Sequence, residues 1–442
     1  MSEGLVSLGL DVGTSTTSLV ISRLEVENKA GSFSVPELAI TRREVIWESP
    51  VYLTPLLGQD RVDSGKIREL VAENYEKAGI TREQVDTGAI IITGESSRKE
   101  NAAQVLRELS GFAGEFVVAT AGPDLESVLA AKGAGAVEYS AKTGKRVLHF
   151  DIGGGTSNFC LIEDGNIVRT GCLNVGGRLV KYDKDHKITY ISPVLRGLTS
   201  LKVGDFIEKE QADNVARLLA QVLEMGAGLR EKTELYEAMT TKEVRATQAP
   251  VGQSGVISFS GGVADCVGTD FPWDRFGDLG PSLGRAIRES RLCRGEFMLG
   301  QETIRATVIG AGCHSTQLSG STVFHRNVEF PLKNLTVVTK ISDLEKLDSP
   351  GVLALEGIPS PSYAQVQVLA DEIAEKVKPP VYVAVEADMA KALGHALILR
   401  LGMEAQVLCI DRVKLTQGDY LDVGTPMGPA IPVVIKTLIL QK

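Results

Sequence analysis

Two short stretches of the chain set a carboxylate beside a run of small residues, at the end of an apolar alternation. In Asp11-Val12-Gly13-Thr14-Ser15-Thr16 the alternation is Val6, Leu8, Leu10, Val12, the pattern of a β-strand. A strand of this kind delivers Asp11 at its end. The turn that follows exposes backbone N–H groups and hydroxyls, and glycine lets an anion approach the main chain closely. A carboxylate next to phosphate oxygens repels them unless a cation intervenes, so Asp11 makes sense as a ligand to Mg²⁺ through water. Taken alone, the stretch reads equally well as a plain hairpin with a polar turn. The second stretch, Asp151-Ile152-Gly153-Gly154-Gly155-Thr156-Ser157, repeats the arrangement with three successive glycines. A hairpin does not require them, and they cost backbone entropy on folding. Two such loops could grip one polyphosphate from both sides. A third element, Ile257-Ser258-Phe259-Ser260-Gly261-Gly262-Val263-Ala264, is a strand entering a Gly-Gly turn suited to lie flat against a nucleoside.

The elements that must position these loops can be read from periodicity. Strands are expected at the N-terminus, over Thr17–Ser22 and over Leu38–Trp47. A helix over Ser64–Ala78 (Ile67, Leu70, Val71, Tyr75) should end at Gly79. Ala89–Thr93 reads as a strand, Asn101–Leu109 as a helix, Val117–Ala119 as a strand and Leu125–Ala131 as a helix. Then the β pattern restarts: Arg146–Ile152, the glycine turn, Ser157–Ile162, and a Glu163–Asn166 turn into Ile167–Arg169. Strand, glycine turn, strand, turn, strand thus occurs twice, which implies a diverged structural duplication. Further on come a helix over Gln211–Met225, a polar linker over Thr240–Ser254, a strand at Val256–Ser260 and a helix near Ser282–Glu289. From Phe330 the pattern resets into a smaller α/β region, with strands at Tyr382–Glu386 and Val407–Val413 around a helix at Asp388–Leu401.

Composition narrows the function classes. At 442 residues the chain exceeds what one core serves, and 43% hydrophobic with 23% charged residues is ordinary for a globular protein. A net charge of −9 without a basic run argues against nucleic acid and anionic membranes as partners. No apolar run reaches the roughly 20 residues of a membrane helix, and the first residues lack a leader pattern, so a cytoplasmic protein is expected. The six cysteines are scattered without a C-x-x-C pair, which supports neither a disulfide framework nor structural zinc. Ile309-Gly310-Ala311-Gly312-Cys313-His314 lacks the third glycine of a dinucleotide turn and reads better as a close-packed helix. His395, on an apolar helix, reads as a core or boundary histidine.

The three glycine motifs, in this order, resemble the two phosphate motifs and the adenosine motif of the actin, heat-shock chaperone and sugar-kinase superfamily. The resemblance implies an α/β protein with two ribonuclease-H-like (actin-like ATPase) domains closing on ATP and Mg²⁺. Those domains would occupy residues 1–145 and 146–329, with the smaller C-terminal α/β region over 330–442. It assigns Asp11 and Asp151 to the metal and to catalysis. Gly13, Thr14, Ser15, Thr16, Gly153, Gly154, Gly155, Thr156, Gly261 and Gly262 are assigned to the nucleotide. Small-residue bridging helices match Leu125–Ala136 and Ala306–Gly320, and a Gly-Gly after the second motif matches Asn174–Gly177. Where heat-shock chaperones then enter a helix, this chain continues through Arg178–Lys184 more like a strand and charged hairpin. Glu126, and after it Glu95, are the candidates to orient an attacking water.

Three further stretches resemble the reactivating factors of adenosylcobalamin-dependent eliminases, most of all the ethanolamine ammonia-lyase reactivating factors. They are Asp86–Glu95 with Lys99–Ala102, His149–Ser157, and the ending Pro432–Leu438. The resemblance implies an ATP-hydrolysing chaperone, associated with a bacterial microcompartment, whose partner is ethanolamine ammonia-lyase. Such a chaperone frees the lyase of damaged, adenine-lacking cobalamin so that intact coenzyme can bind. The chain has no Asp-x-His-x-x-Gly to supply an axial histidine, so cobalamin contact should be indirect, through the lyase. A small-molecule kinase of the same superfamily is the alternative, and an actin-like filament protein ranks below both.

Overall fold

The computed structural model describes residues 3–13, 16–29, 38–57, 61–93, 101–102, 104–105, 108–109, 117–120, 123–241, 255–314, 316–319, 323–344, 347, 350–415, 417, 419–426 and 430–437. Among them, strands β1 (Glu3–Val12), β2 (Thr16–Asn28), β3 (Leu38–Glu48) and β4 (Tyr52–Leu53) come first. Helix α1 (Ser64–Ala78) follows, then β5 (Thr87–Ile92) and β6 (Val117–Thr120). They form one sheet in the order β3-β2-β1-β5-β6, with β4 on β2. The first three strands are antiparallel, and β5 and β6 run parallel to β1. Helix α1 starts on the Asp63 side chain, which accepts from the Lys66 N–H at 3.1 Å, and ends on Gly79 at φ 66°. Val12, Leu8 and Leu10 bury one face of β1 against α1, through Ile67, Val71 and Tyr75. Ser7, Gly9 and Asp11 take the other face, as the two-residue period of a strand requires.

The same wiring returns after helices α2 (Pro123–Gly133) and α3 (Ala136–Thr143). Strands β7 (Val147–Ile152), β8 (Ser157–Glu163) and β9 (Asn166–Leu173) make an antiparallel meander. A small hairpin, β10 (Val180–Tyr182) with β11 (Ile188–Ile191), leads to α4 (Lys209–Gly226) and α5 (Glu234–Met239). Then β12 (Val256–Ser260), α6 (Gly262–Gly268), α7 (Gly280–Glu289) and β13 (Phe297–Leu299) complete a sheet of order β9-β8-β7-β12-β13. Here too the last two strands run parallel to the first. Two sheets of one topology, each with its acid-bearing strand in the middle, form the ribonuclease-H-like pair expected from the motifs. The hairpin β10–β11 is the strand expected after Gly177. Most of the polar linker expected before β12 lies outside the described residues.

Helix α8 (Ala306–His314) joins the two sheets. It packs on α2, and the contact is backbone on backbone. A Cβ at Gly133 would run into the Ala306 carbonyl oxygen, one at Gly310 into the Leu129 carbonyl oxygen, and one at Gly9 into the Val308 carbonyl oxygen. Ser7 Oγ donates to the Gly312 carbonyl at 2.5 Å, tying α8 to β1. The bridging helices are thus real but shorter than the sequence suggests. One stops at Gly133, because Gly135 turns left-handed at φ 78° before α3 begins. The other stops at His314, because Thr316–Leu318 pairs as a strand with Val434–Pro432.

That strand, β14 (Thr316–Leu318), opens a third sheet with β15 (Phe324–Arg326), β16 (Leu332–Val338), β17 (Gly351–Leu355), β18 (Val381–Val385), β19 (Val407–Asp411), β20 (Asp419–Val423) and β21 (Pro432–Thr437). Their order is β14-β21-β20-β16-β17-β18-β19-β15, with β16 to β19 parallel. Helices α9 (Tyr363–Lys376) and α10 (Ala390–Leu401) cover it. β14 and β15 precede residue 330, so the boundary drawn there cuts through this sheet's chain.

Gly310→Ala should cost about 1–3 kcal/mol by overpacking, although alanine favours helices. Gly155→Ala, where nothing lies within 4 Å, should stay within about 0.5 kcal/mol of wild type. Urea unfolding of both variants checks the pair.

Candidate functional site

Asp11 stands one residue from the end of β1. Because β5 runs parallel with Asp11 opposite Ile91, Thr93 emerges beside it. Thr93 Oγ1 donates to Asp11 Oδ1 at 2.9 Å, and the Thr93 N–H donates to the Val12 carbonyl at 3.1 Å. The turn closes with the Gly13 N–H on the Thr16 carbonyl at 2.9 Å. Thr54 Oγ1 buttresses it, donating to the Gly13 carbonyl at 2.7 Å. Thr14 and Ser15 lie outside the described residues.

The second loop copies the first. The Gly153 N–H donates to the Thr156 carbonyl at 3.0 Å. Asp151, 7% exposed, stands one residue from the end of β7 and is held by Ser260 Oγ on Oδ1 at 2.6 Å and Thr307 Oγ1 on Oδ2 at 3.2 Å. Asn174–Gly177 lies against this loop. The Gly177 and Arg178 N–H groups donate to the Gly153 and Gly154 carbonyls at 3.0 and 2.7 Å, and a Cβ at Gly176 would strike the Gly154 carbonyl. Those glycines serve the loop's own backbone. A Cβ added at Gly155 would meet nothing within 4 Å, so the side-chain direction of this glycine is open. At the third motif Gly261 takes φ 83°, donates to the Thr303 carbonyl at 3.0 Å and sits where a Cβ would meet Ile152. The Gly-Gly turn is thereby pinned beside the end of β7.

A family model described as ethanolamine utilisation protein EutA matches residues 3–351 and 340–441. The chain belongs to the EutA family. It is similar to the ethanolamine ammonia-lyase reactivase EutA of Escherichia coli (strain K12), 38% identical over 474 residues and 98% of each chain. The protein of the same name from Salmonella typhimurium (strain LT2) is 37% identical over 473 residues, again 98% of each. Among solved structures, ethanolamine utilization protein EutJ from Carboxydothermus hydrogenoformans aligns over 69% of this chain and 88% of its own, at 18% identity and a TM-score of 0.37. At that score it carries no part of the argument.

In this EutA-family chain the two acids feel one another. Burial pushes the Asp11 carboxyl up to about 7, the Thr93 hydrogen bond opposes the rise, and the charge of Asp151 adds to it. Burial likewise raises Asp151, against the hydrogen bonds from Ser260 and Thr307. Two crowded carboxylates are costly unless a cation sits between them. Asn158, 2% exposed and directly across from Asp151 on β8, has a buried Oδ1 that accepts no hydrogen bond. An acceptor of that kind suits a proton of a metal-bound water. Among the described residues no group of three or more His, Cys, Asp or Glu side chains converges on a metal position. The two carboxylates and the Asn158 amide oxygen are all oxygen donors, the type that suits a hard cation such as Mg²⁺.

Glu126 lies on α2, partly exposed, next to Ser127, whose carbonyl accepts from Cys160 Sγ on β8 at 3.7 Å. Glu95 lies outside the described residues. Cys313 and His314 diverge on α8: Cys313 Sγ bonds to Ser22 Oγ at 3.1 Å, and burial holds His314 at about 4. Sequence reasoning missed Thr93, Ser260 and Thr307 as hydrogen-bond partners of the acids, and Asn158 as the neighbour across from Asp151. One signal was present: polar residues at alternate positions of otherwise apolar strands, His149 and Asp151 on β7 and Ser258 and Ser260 on β12.

A raised carboxyl pKa means that the native state holds its proton where the unfolded chain has lost it. Stability is therefore intact below about pH 4 and falls as pH rises toward 7. Without metal or nucleotide, Asp11→Asn should match wild type near pH 4 and exceed it at pH 8 by about 1 kcal/mol or more, one pKa unit's worth. Urea titrations at both pH values check the sign.

Proposed function

We propose that this chain is an ATP-hydrolysing reactivase that frees ethanolamine ammonia-lyase of damaged, adenine-lacking cobalamin so that intact coenzyme can bind. One observation carries the reading. Asp11 and Asp151 end equivalent strands of two like sheets, sit beside turns closed by the same hydrogen bond, and interact electrostatically. The full-length likeness to two reactivases supports the partner and favours this reading over a small-molecule kinase.

In this mechanism the two loops, closed by the Gly13 and Gly153 N–H groups, present the rest of their main chain to the phosphates, and Gly261-Gly262 faces the adenosine. Asp11 and Asp151 are the residues that would hold Mg²⁺, with the unpartnered Asn158 Oδ1 across from Asp151 as a further acceptor. The ion supplies neutralisation of phosphate charge. Positioning and charge neutralisation then provide most of the rate of an in-line attack by water, which Glu126 orients. Thr14, Ser15, Thr16 and Thr156 add hydroxyl donors along the two loops. Cobalamin contact runs through the lyase. His186 is engaged within the protein, 3.1 Å from Asp274 and packed on Trp273. A cytoplasmic place of work, at a bacterial microcompartment, accompanies this reading. Among the described residues no helix is long and apolar enough to cross a membrane.

Incubating inactivated lyase with the chain, ATP, Mg²⁺ and fresh adenosylcobalamin should restore ethanolamine turnover. Asp11→Ala and Asp151→Ala should each lower ATP hydrolysis and recovery about 100-fold or more, with circular dichroism showing that each variant is folded. ATP turnover that depends strictly on an added sugar or alcohol would overturn the reading in favour of the kinase.

A further inference from the structure

Behind Asp151 the second sheet carries a buried polar row on the face toward the bridging helices. Strands β7 and β12 are parallel, with His149 opposite Ser258 and Asp151 opposite Ser260. His149, Ser258 and Ser260 are all fully buried. His149 Nδ1 lies 3.0 Å from Ser258 Oγ, and Nε2 lies 3.0 Å from Ser260 Oγ. Ser260 Oγ is 2.6 Å from Asp151 Oδ1. Aliphatic side chains would fill this layer without the cost of burying an imidazole and two hydroxyls. Here the polar atoms instead form one line that ends on the acid assigned to the metal.

The line can be polarised in one way only when Asp151 is ionised. A carboxylate only accepts, so Ser260 spends its single proton on Oδ1. Ser260 Oγ must then accept from His149, which puts the ring proton on Nε2. The remaining lone pair, on Nδ1, accepts from the Ser258 hydroxyl. From this we infer that His149 is a positioning residue. As the Nε2–H tautomer it fixes the direction of the Ser260 hydroxyl, and so locks the Asp151 carboxylate in the orientation that holds hydrated Mg²⁺. The inference rests on the nucleotide-site reading above and adds to it a supporting shell behind the metal acid, which typically tunes metal affinity by 10–100-fold.

Two measurements test it. In the wild-type chain with histidine ¹⁵N-labelled, long-range ¹H–¹⁵N correlation should show His149 protonated at Nε2 and bare at Nδ1; the opposite tautomer overturns the inference without any variant. Mn²⁺ binding, followed by electron paramagnetic resonance in the presence of ADP, gives affinity without turnover. His149→Leu should weaken it about 10-fold or more, and raise the Mg²⁺ concentration needed for half-maximal ATP hydrolysis in step. His149→Gln, whose amide can still donate to Ser260, should recover most of the loss. A folded His149→Leu chain with wild-type Mn²⁺ affinity overturns the relay. Failure of the wild-type chain to bind Mn²⁺ with nucleotide is a distinguishable result, which overturns the site assignment itself.

Discussion

The approach of α8 to α2 and β1 is the constraint on which the rest of the molecule depends. At Gly133, Gly310 and Gly9 main chain meets main chain, with no room for a side chain between. The two sheets are therefore joined through a thin, small-residue layer. On the first sheet that layer covers the face bearing Ser7, Gly9 and Asp11. On the second it covers the face bearing His149 and Asp151, where Thr307 reaches from α8 to the Asp151 carboxylate. Both acids thus lie on the hinge-facing sides of their sheets, which explains why one chain segment can touch both halves of the site. Arg305, just before α8, adds a strut across the halves by donating to the Ser49 carbonyl at 2.9 Å.

The same helix ties the site to the third sheet. One residue separates His314 from β14, whose register with β21 is set by antiparallel pairing. On the way α8 is pinned to the first sheet by Ser7 on the Gly312 carbonyl and by Arg43 Nε on the Cys313 carbonyl at 2.8 Å. The one helix is thus tied to both acid-bearing sheets and, through β14, to the third.

Much of this was legible from residues, for identifiable reasons. The duplication was legible because strand, glycine turn, strand, turn, strand occurs twice, and the three consecutive glycines of the second copy marked its turn as more than a plain hairpin. Helix α1 was readable to its ends, since Asp63 and Gly79 are local caps. The ends of α2 and α8 were not. Small-residue runs have no sequence-local stop, and it is tertiary pairing of Thr316–Leu318 that terminates the second. The partners of the acids were hidden for a related reason. Thr93 reaches Asp11, and Ser260 and Thr307 reach Asp151, only through strand register and helix docking, which no local pattern encodes. The Asn174–Gly177 glycines illustrate the converse: their spacing was visible, but their role as packing for the second loop became clear only from the hydrogen bonds to Gly153 and Gly154.

Electrostatics gives this hinge a direction. Without a cation, ionising both acids places like charges in a poorly solvated cleft, and burial has already raised both carboxyls. In the proposed function a divalent cation bound with the polyphosphate would offset that repulsion. The hydrogen bonds from Thr93, Ser260 and Thr307 work in the same direction, since they favour the ionised carboxylates and hold them in place. In the proposed function the energy that matters is therefore not attraction within the empty protein. It is the difference between a repelling and a bridged pair of acids, set across a hinge too tightly packed to absorb it locally.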